Sequence, residues 1–586
     1  MSDSHSHGDH HHHELPFWRK YVFSVDHKVI GIQYGVTALV FLFFGFSLMM
    51  LMRWQLAYPG QALPLLGGLL GTKNMPGGVM SPDFYNQLGA MHGTIMVFLG
   101  VVPLAVGAFG NFVVPLQVGA PDMAFPRLNM TSYWVYFVGG VVMLVSFFMP
   151  NGAAQSGWTN YPPLSDITDP GFWTGQTLWL IGMVFLITSS LLGSINTITT
   201  IVQMRAQGLS FFRLPFFVWS QLVTAFLLVL AFPPLEAAGI FQLMDRVAGT
   251  SFFLPTGLAV GGEVNKAIAG GGSPLLWQHL FWFLAHPEVY VLILPAIGIV
   301  AEIVANNTRK PLWGYRSMVY AIIALGFLSF VVWAHHMFMT GMGTAMSTFF
   351  QATTMMISIP SVVVLTSIMI GLWGASIRFT VPMLYALAWV PMFAIGGLTG
   401  LPLGLTTSDI YLHDTYYVIG HFHYVVAPGT IMALFAGLYY WYPKATGRKM
   451  NDFLGKLHFW PTIIALNGVF LPMFFQGMAG VSRRLYDQTY YLHGQAVQDL
   501  TVFQSWSAWA LGLAQIPFII NFFVSLKKGE KVGENPWDST TLEWAAPSPP
   551  PHGNFIKPPV VYRDPYEYSV PGAKKDYSPQ FEPEGA

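Results

Sequence analysis

The chain has no cysteine among its 586 residues. This absence excludes disulfides, thiolate metal ligands and haem attachment through a Cys-x-x-Cys-His motif. Any bound metal must therefore be held by His, carboxylate, Met or Tyr. Charged residues are also scarce, at 9% of the chain against roughly 25% in soluble domains. The zero formal net charge gives no indication of nucleic-acid binding, and we expect none.

The chain is rich in long apolar runs. Apolar residues make up 53% of the chain, and about twelve runs reach the ~20 residues that a helix needs to cross a bilayer. We therefore predict an all-α polytopic membrane protein with about twelve transmembrane helices. The predicted spans are 29–56, 88–116, 131–152, 173–205, 214–240, 275–303, 316–342, 346–374, 379–401, 412–441, 458–480 and 503–526.

The charges of the loops predict the orientation of these helices. Most loop Lys and Arg residues fall on one side of the predicted membrane, and few fall on the other. The sparse side holds Lys73, Arg246, Lys266, Arg483 and Arg484. Because basic loops are retained in the cytoplasm, both termini are predicted to be cytoplasmic. The polar N-terminus also predicts that there is no cleavable signal peptide.

The predicted organisation has three parts. These are a His-rich cytoplasmic N-terminal segment (1–28), a twelve-helix core (29–526) and a cytoplasmic C-terminal tail (527–586). The histidine run from His5 to His13 could bind metal weakly, but a solvated tail or a tag is the favoured interpretation. The C-terminal tail is rich in Pro, Gly, Tyr and charge, which predicts a partly extended soluble segment lying on another surface.

Six of the histidines within the predicted spans, on the outer side of the midplane, are candidate metal ligands. They are His92, His286, His335, His336, His421 and His423. A single intramembrane His is more often a hydrogen-bonded packing residue than a ligand. Six together, with no Cys and few other ionisable groups, predict a metal site instead. Imidazole suits copper, iron and zinc, so the residue types leave the metal open.

Spacing along the helices gives part of the geometry. His421 and His423 are two residues apart, so they leave nearly opposite sides of one helix and could serve two separate metal centres. His286 and Tyr290 are four residues apart and share one face.

Two further positions depend on the local shape of their helices. His335 and His336 diverge by about 100° on a regular helix, which is awkward for one metal unless that helix is distorted. Glu288 lies deep in its span, two residues from His286. It is either a neutral packing carboxyl or part of a proton relay, and the relay is favoured because intramembrane carboxylates are costly.

These residues resemble subunit I of the haem–copper oxidases, in particular the cytochrome c oxidases of the largest branch. The resemblance runs from Asp26-His27-Lys28 to Arg483-Arg484 and includes the ordered motif His286-Pro287-Glu288-Val289-Tyr290. It implies two haems, one copper ion (copper B) and reduction of O2 to water between the high-spin iron and the copper.

The resemblance also implies a role for each histidine. Tyr290 would be covalently joined to His286 and would supply an electron and a proton to break the O–O bond. The implied ligands are His92 and His423 for the low-spin haem iron, His421 for the high-spin haem iron, and His286, His335 and His336 for copper B.

Other residues resemble the family's cofactor contacts on the outer side. Arg53 resembles the arginine that contacts the haem formyl, which favours haem A, and Trp158 matches a tryptophan at the haem edge. The pair Arg483-Arg484 is either a propionate clamp or an exposed loop pair, and the sequence leaves both open. The implied ligands of a magnesium or manganese ion at the subunit II interface are His413 and Asp414.

The inner side carries one proton route that matches the family and one that does not. Asp122 resembles the mouth of the D pathway, Asn111 and Asn129 its constriction, and Glu288 its inner terminus. The K-pathway lysine, by contrast, falls at Val364.

Two further positions of the K pathway also differ from the family, since Ser361 replaces a threonine and Ala301 a serine. We therefore expect the second route to be rerouted or lost, because valine cannot carry a proton. The candidates for a substitute path are Glu302, Thr354, Ser361 and Thr366.

The predicted function is that of a proton-pumping terminal oxidase of a bacterial inner membrane. Its expected partners are subunit II with copper A, subunit III, cytochrome c as donor, and a respiratory supercomplex. A quinol oxidase is the main alternative, disfavoured because Phe84 stands where that branch has a His. A nitric oxide reductase is disfavoured by Tyr290, and a non-redox proton transporter by the paired histidines on opposite helix faces.

Overall fold

The structure is a computed structural model that describes residues 16–168, 171–260, 263–264 and 270–583. The histidine run from His5 to His13 lies outside the described residues. Within them, twelve helices are long and apolar enough to cross a membrane. The predicted all-α polytopic architecture is therefore confirmed.

The spanning helices are numbered here in chain order. They are α1 (His27–Ala57), α2 (Pro82–Val118), α3 (Pro126–Phe148), α4 (Gly175–Gln203), α5 (Phe216–Ala248), α6 (Pro274–Thr308), α7 (Tyr315–Thr340), α8 (Gly343–Leu372), α9 (Val381–Leu403), α10 (Tyr416–Thr446), α11 (Asp452–Met478) and α12 (Gln498–Lys528).

Shorter elements lie outside these spans. Two antiparallel pairs of two-residue strands join β1 (Ala259–Val260) to β2 (Glu263–Val264) and β3 (Arg448–Lys449) to β4 (Glu530–Lys531). The short helices are Trp18–Val22, Leu164–Ile167, Thr406–Leu412 and Leu492–Ala496. Single helical turns occur at Pro76–Gly78, Phe211–Arg213, Gln488–Tyr490 and Leu542–Ala545.

Polar caps fix where several helices begin. Asp26, Ser81 and Thr415 each accept a hydrogen bond from a backbone N–H of the first turn that follows. Such caps satisfy donors that the helix itself leaves free. Thr415 thereby sets the start of α10, the helix that carries His421 and His423.

Irregular helical turns adjoin the histidines of the spans. Within α2, the wide π-type turn Ile95–Val101 follows His92, and within α10 the turn Ala427–Ile431 follows His423. The end of α7, Trp333–Thr340, is a 3₁₀ segment that carries His335 and His336. Departures from the regular α-helix of this kind are frequent at functional sites.

The C-terminal tail packs against one end of the helix bundle. Asn554 Oδ1 lies 2.9 Å from both His27 Nε2 and Lys28 Nζ, and its Nδ2 donates to the Ala120 carbonyl at 2.8 Å. The start of α1 and the tail therefore lie at the same end, called here the inner end. The tail is extended, as the sequence predicts, and the surface on which it lies is this chain's own.

Candidate metal centre

Three histidines from α6 and α7 converge on one point. Nitrogen atoms of His286, His335 and His336 all lie within 4.8 Å of one another, and this is the sole such group of three or more among the described His, Asp and Glu residues. His286 Nδ1 is 3.2 Å from His336 Nε2, which is 3.1 Å from His335 Nε2. Three imidazole nitrogens arranged in this way can hold copper or zinc and leave a position open.

The adjacent pair lies on an irregular segment and not on a regular α-helix. The segment is 3₁₀ helix, and Met337, directly after the pair, departs from helical geometry. The predicted distortion is therefore present, and His335 and His336 both turn their Nε2 atoms towards His286.

Two neighbours that the sequence reasoning gave no such role support this group. The His336 ring stacks on the Trp282 ring with centroids 3.7 Å apart and planes 12° apart. His335 Nδ1 lies 3.0 Å from the Thr354 hydroxyl, which fixes the ring and leaves Nε2 for a metal. Thr354 was a candidate for a proton path, and its contact here is with a candidate ligand. Second partners of this kind orient ligating rings.

Tyr290 lies beside the group, as the spacing predicts. Its ring centroid is 5.1 Å from that of His286. His286 turns Nδ1 towards the other histidines, while its buried Nε2 has no hydrogen-bond partner among the described residues. One nitrogen of His286 is thus available to a metal and the other remains free for Tyr290. Glu288 is buried, and neither of its carboxyl oxygens has a protein partner.

The other three histidines are each anchored through Nδ1. His92 Nδ1 lies 2.8 Å from the Gly45 carbonyl, His423 Nδ1 2.9 Å from the Ile419 carbonyl, and His421 Nδ1 2.9 Å from the Gly396 carbonyl. Each anchor fixes the tautomer and leaves Nε2 free to bind a metal.

These three side chains face space inside the bundle. His92, His421 and His423 remain partly exposed although they lie within spanning helices. Two glycines allow close packing there, since a Cβ on Gly400 would lie 2.7 Å from His421 Cε1 and one on Gly93 would lie 2.9 Å from Trp158 Cβ. Free Nε2 atoms facing internal space fit the requirements of haem iron.

Aromatic residues connect the two groups of histidines. Trp158 packs beside Gly93 and meets the Trp282 ring edge-on, with centroids 6.0 Å apart. Trp282 also donates from Nε1 to the Tyr161 hydroxyl. A packed path therefore runs from the segment around His92 to His336.

Buried arginines lie at the outer end of the bundle. Arg53 donates from Nη1 to Gln504 Oε1 at 3.1 Å. Arg483 pairs with Asp414, with Nε 3.4 Å from Oδ1. Burial, together with the neighbouring Arg484, lowers the pKa of Arg483 to about 10. These cations can receive carboxylates of a ligand bound beneath them.

His413 and Asp414 lie close together, and a third residue joins them. His413 Nε2 is 3.9 Å from Asp414 Oδ2, and His413 Nδ1 is 3.2 Å from Oδ2 of the buried Asp409. The bond to Asp409 raises the pKa of His413. Asp409 was not predicted, although its position four residues before His413 on a short helix is a signal that sequence reasoning could have used.

The predicted proton-route residues are only partly brought together. Asn111 lines a cavity of about 40 Å³, large enough for water. Asn129 is buried with no protein partner for its amide, and Asp122, beyond the end of α2, has its pKa raised to about 6 by burial. Asp122 and Asn129 do not line this cavity. Hydroxyl groups on the cavity wall come from Tyr34, Ser132, Ser189, Ser190 and Thr197.

The position of Val364, which stands where the family has its K-pathway lysine, is apolar. Val364 and Ala301 are both completely buried, and the Ser361 hydroxyl donates to the Ile357 carbonyl of its own helix at 3.0 Å. The three departures from the family pattern therefore leave no ionisable side chain at these positions.

Twelve membrane helices with a three-histidine group and three further anchored histidines define a membrane-embedded metalloenzyme. Residues 29–513 match the family described as Cytochrome C and Quinol oxidase polypeptide I. The chain belongs to this family, the subunit I family of the haem–copper oxidases.

Several full-length relatives agree with this assignment. The alternative cytochrome c oxidase subunit 1 of Bradyrhizobium diazoefficiens is 44% identical over 97% of this chain and 94% of its own length. Cytochrome c oxidase subunit 1 of Synechocystis sp. is 44% identical over 94% of this chain and 93% of its own length. Cytochrome c oxidase subunit 1 of Bacillus sp. is 41% identical over 92% of this chain and 82% of its own length.

A solved structure shares the fold. A haem–copper terminal oxidase dimer determined by cryo-electron microscopy aligns with a TM-score of 0.69 at 19% identity, over 86% of this chain and 84% of that one. The predicted terminal-oxidase function is confirmed, and the named relatives favour cytochrome c oxidase over quinol oxidase. The protein is an integral bacterial membrane oxidoreductase with haem and copper cofactors.

Proposed function

We propose that this subunit reduces O2 at a centre built from His421 on one side and from His286, His335 and His336 on the other. The convergence of three imidazole nitrogens within 4.8 Å carries the proposal. Its copper would be held by His286 Nδ1 and by the Nε2 atoms of His335 and His336. When bound, the haems and copper supply the redox chemistry, and the chain's own residues orient them and move protons.

The two faces of α10 separate two haems. His421 Nε2 would hold the O2-binding haem, and His423 Nε2 would hold the electron-transfer haem together with His92 Nε2. Because both residues are anchored on one short helical stretch, that stretch sets the relative position of the two haems.

Tyr290 and Glu288 handle protons beside this centre. Tyr290 would be joined through its ring to the free Nε2 of His286 and would hold a proton at its hydroxyl for O–O cleavage. Glu288 lies two residues along the same helix with both carboxyl oxygens free of protein partners. A buried, unpaired carboxyl is favoured in its neutral form, ready to donate a proton.

The outer residues position the haem groups and a second metal. Arg53 would contact the formyl of haem A, Trp158 the haem edge, and Arg483 with Arg484 the propionates. A magnesium or manganese ion would be held by His413 and Asp414, with a further ligand from subunit II. Hard oxygen ligands and water suit these ions.

Protons for this chemistry enter from the inner end. Asp122 forms the mouth of a route through Asn129 and Asn111 towards Glu288, and the cavity beside Asn111 supports a water-filled section. The inner end is the cytoplasmic side, since the basic loops cluster there. Subunit II with copper A, subunit III and a supercomplex remain expected partners, with cytochrome c as donor.

A pair of matched variants tests the assignment of α10. His421→Asn is expected to abolish CO binding to the reduced protein while the low-spin haem signal persists. His423→Asn is expected to remove the low-spin signal instead. Loss of the same haem in both variants would contradict the proposal.

A further inference from the structure

Two carboxyl groups are buried at the inner end: Glu302, one of the candidates for a substitute proton path, and Glu543. Glu302 of α6 accepts hydrogen bonds at Oε1 from the Tyr566 hydroxyl at 2.6 Å and from the Phe217 amide at 3.2 Å. Tyr566 belongs to the C-terminal tail. The tail therefore reaches into the bundle and contacts a carboxyl on the helix that carries His286.

The second carboxyl comes from the tail itself. Glu543 Oε1 accepts from Gln117 Nε2 at 3.1 Å and from Trp441 Nε1 at 3.3 Å. Its Oε2 has no protein partner, although the residue is fully buried. Burial raises the pKa of Glu543. A buried carboxyl atom without a protein partner indicates a bound water or proton.

The two carboxyls are supported by one packed unit. The Phe217 ring lies against the Trp441 ring, with centroids 5.3 Å apart. Thus the residue that donates to Glu302 packs on the residue that donates to Glu543. Among the described residues, neither carboxyl forms an ion pair.

Lys444 is within electrostatic reach of Glu543, but its ammonium forms its hydrogen bonds with backbone carbonyls. Lys444 Nζ donates to the carbonyls of Ala546 at 2.5 Å and Glu534 at 3.0 Å. Two buried carboxyl groups without an ion-pair partner cannot both be charged at low cost, so a proton on at least one of them is favoured. The other ionisable side chains around the pair are Tyr315, Tyr440 and Tyr566.

A row of buried polar side chains lies on α5, beyond Phe217, and is called here the α5 row. Ser220, Gln221 and Thr224 are all completely buried. Gln221 Nε2 donates to the Ala105 carbonyl at 2.9 Å, but its Oε1 and the Thr224 hydroxyl have no protein partner. A Cβ on Gly298 would run into the Ser220 hydroxyl, so α5 and α6 pack closely there.

Helix geometry gives the depth of the α5 row relative to Glu288. Glu302 and Glu288 are 14 residues apart on α6, which places them about 21 Å apart and within about 40° of the same face. Thr224 is seven residues beyond Phe217 on α5 and faces the same way, about 10 Å further into the membrane. Thr224 therefore lies at a depth roughly halfway between those of the two glutamates.

We propose that Glu543 and Glu302 begin a second proton route, which continues through Gln221 and Thr224 towards Glu288. The route replaces the entrance that is lost at Val364, and it rests on the proposed proton-consuming function. Each transfer moves one proton from inner water to Glu543, to Glu302 and onward through bound water. No electron moves in these steps.

The test uses isosteric variants of the complete oxidase. Glu302→Gln keeps an acceptor for Tyr566 and Phe217 but cannot pass on a carboxyl proton. Thr224→Val removes a hydroxyl of the α5 row and changes neither carboxyl. Proton uptake from an indicator dye and reduction of the high-spin haem would be followed together after electron injection. The control is Glu530→Gln, which removes an exposed tail carboxyl.

Both variants are expected to slow proton uptake and coupled haem reduction by roughly 10²-fold, as for loss of a proton-transfer group. The control should behave as wild type. Infrared difference spectra of the oxidised protein should contain a deuterium-sensitive carboxyl band that Glu302→Gln removes. Wild-type proton uptake by both Glu302→Gln and Thr224→Val, with normal haem spectra, would overturn the second proton route alone. Absence of the haem signals would overturn the proposed function.

Discussion

The His336 ring lies flat against the Trp282 ring, with centroids 3.7 Å apart and planes 12° apart. Since Trp282 belongs to α6 and His336 to α7, this contact fixes the position of one helix's ligand against the other helix. His286, four residues after Trp282, is the next ligand on α6. The stacking therefore holds the three-nitrogen geometry together.

Replacement of Trp282 should loosen this geometry. Trp282→Leu is expected to lower copper affinity by roughly 10- to 100-fold, as for other residues that orient ligands. The measurement is copper content per haem after dialysis against a chelator. Trp282→Phe, which keeps an aromatic face for His336, should retain most of the copper. Equal copper loss in both variants would show that stacking is not the cause.

Arg53 offers a test of the haem type. If its guanidinium donates to a haem formyl, Arg53→Met should move the low-spin haem absorption band to shorter wavelength and leave the CO-binding haem unchanged. Gln504→Ala, which removes the protein partner of Arg53, should give a smaller shift. An unchanged low-spin band in Arg53→Met would remove the support for a formyl contact.

Asp166 gives a prediction for the pH dependence of stability. Burial, followed by the charge of Asp245, raises the pKa of Asp166 from 3.8 to about 7. The folded protein thus binds this proton more tightly than the unfolded chain, and the associated stability is lost as the pH rises from about 4 to about 7.

Asp166→Asn mimics the neutral carboxyl, so the stability of this variant relative to wild type should increase over the same pH range. We expect its Tm in detergent to match wild type near pH 4 and to exceed it above about pH 7. Asp83→Asn, at an exposed position, is the control. A Tm difference that does not change with pH would refute the raised pKa.

The apolar position at Val364 can be tested directly. If protons use another route, Val364→Lys should not accelerate reduction of the high-spin haem, and burying the new ammonium should destabilise the protein. Val364→Met controls for side-chain size. A slow wild type that the lysine rescues would contradict rerouting.

Sequence patterns predicted most of the fold because each spanning helix needs a long apolar run. The predicted span 275–303 corresponds to Pro274–Thr308, for example, and the histidines of α10 do occupy one short stretch. Boundaries were less accurate where polar caps extend a helix beyond its apolar run, as at Pro82.

Features that depend on contacts between distant segments could not be predicted. The use of Nδ1 by His286 and of Nε2 by His335 follows from helix packing, which no spacing rule contains. The supporting position of Trp282 likewise requires the fold. The tail lacks a helical period, so nothing in its sequence indicates that Glu543 would be buried.

The most direct test of the account is an optical spectrum of the dithionite-reduced protein with and without carbon monoxide. We predict two haem signals, of which one shifts on CO binding and the other does not, because His421 alone would hold one haem whereas His92 and His423 together would hold the other. Visible absorbance that is absent, or that does not respond to CO, would contradict the account.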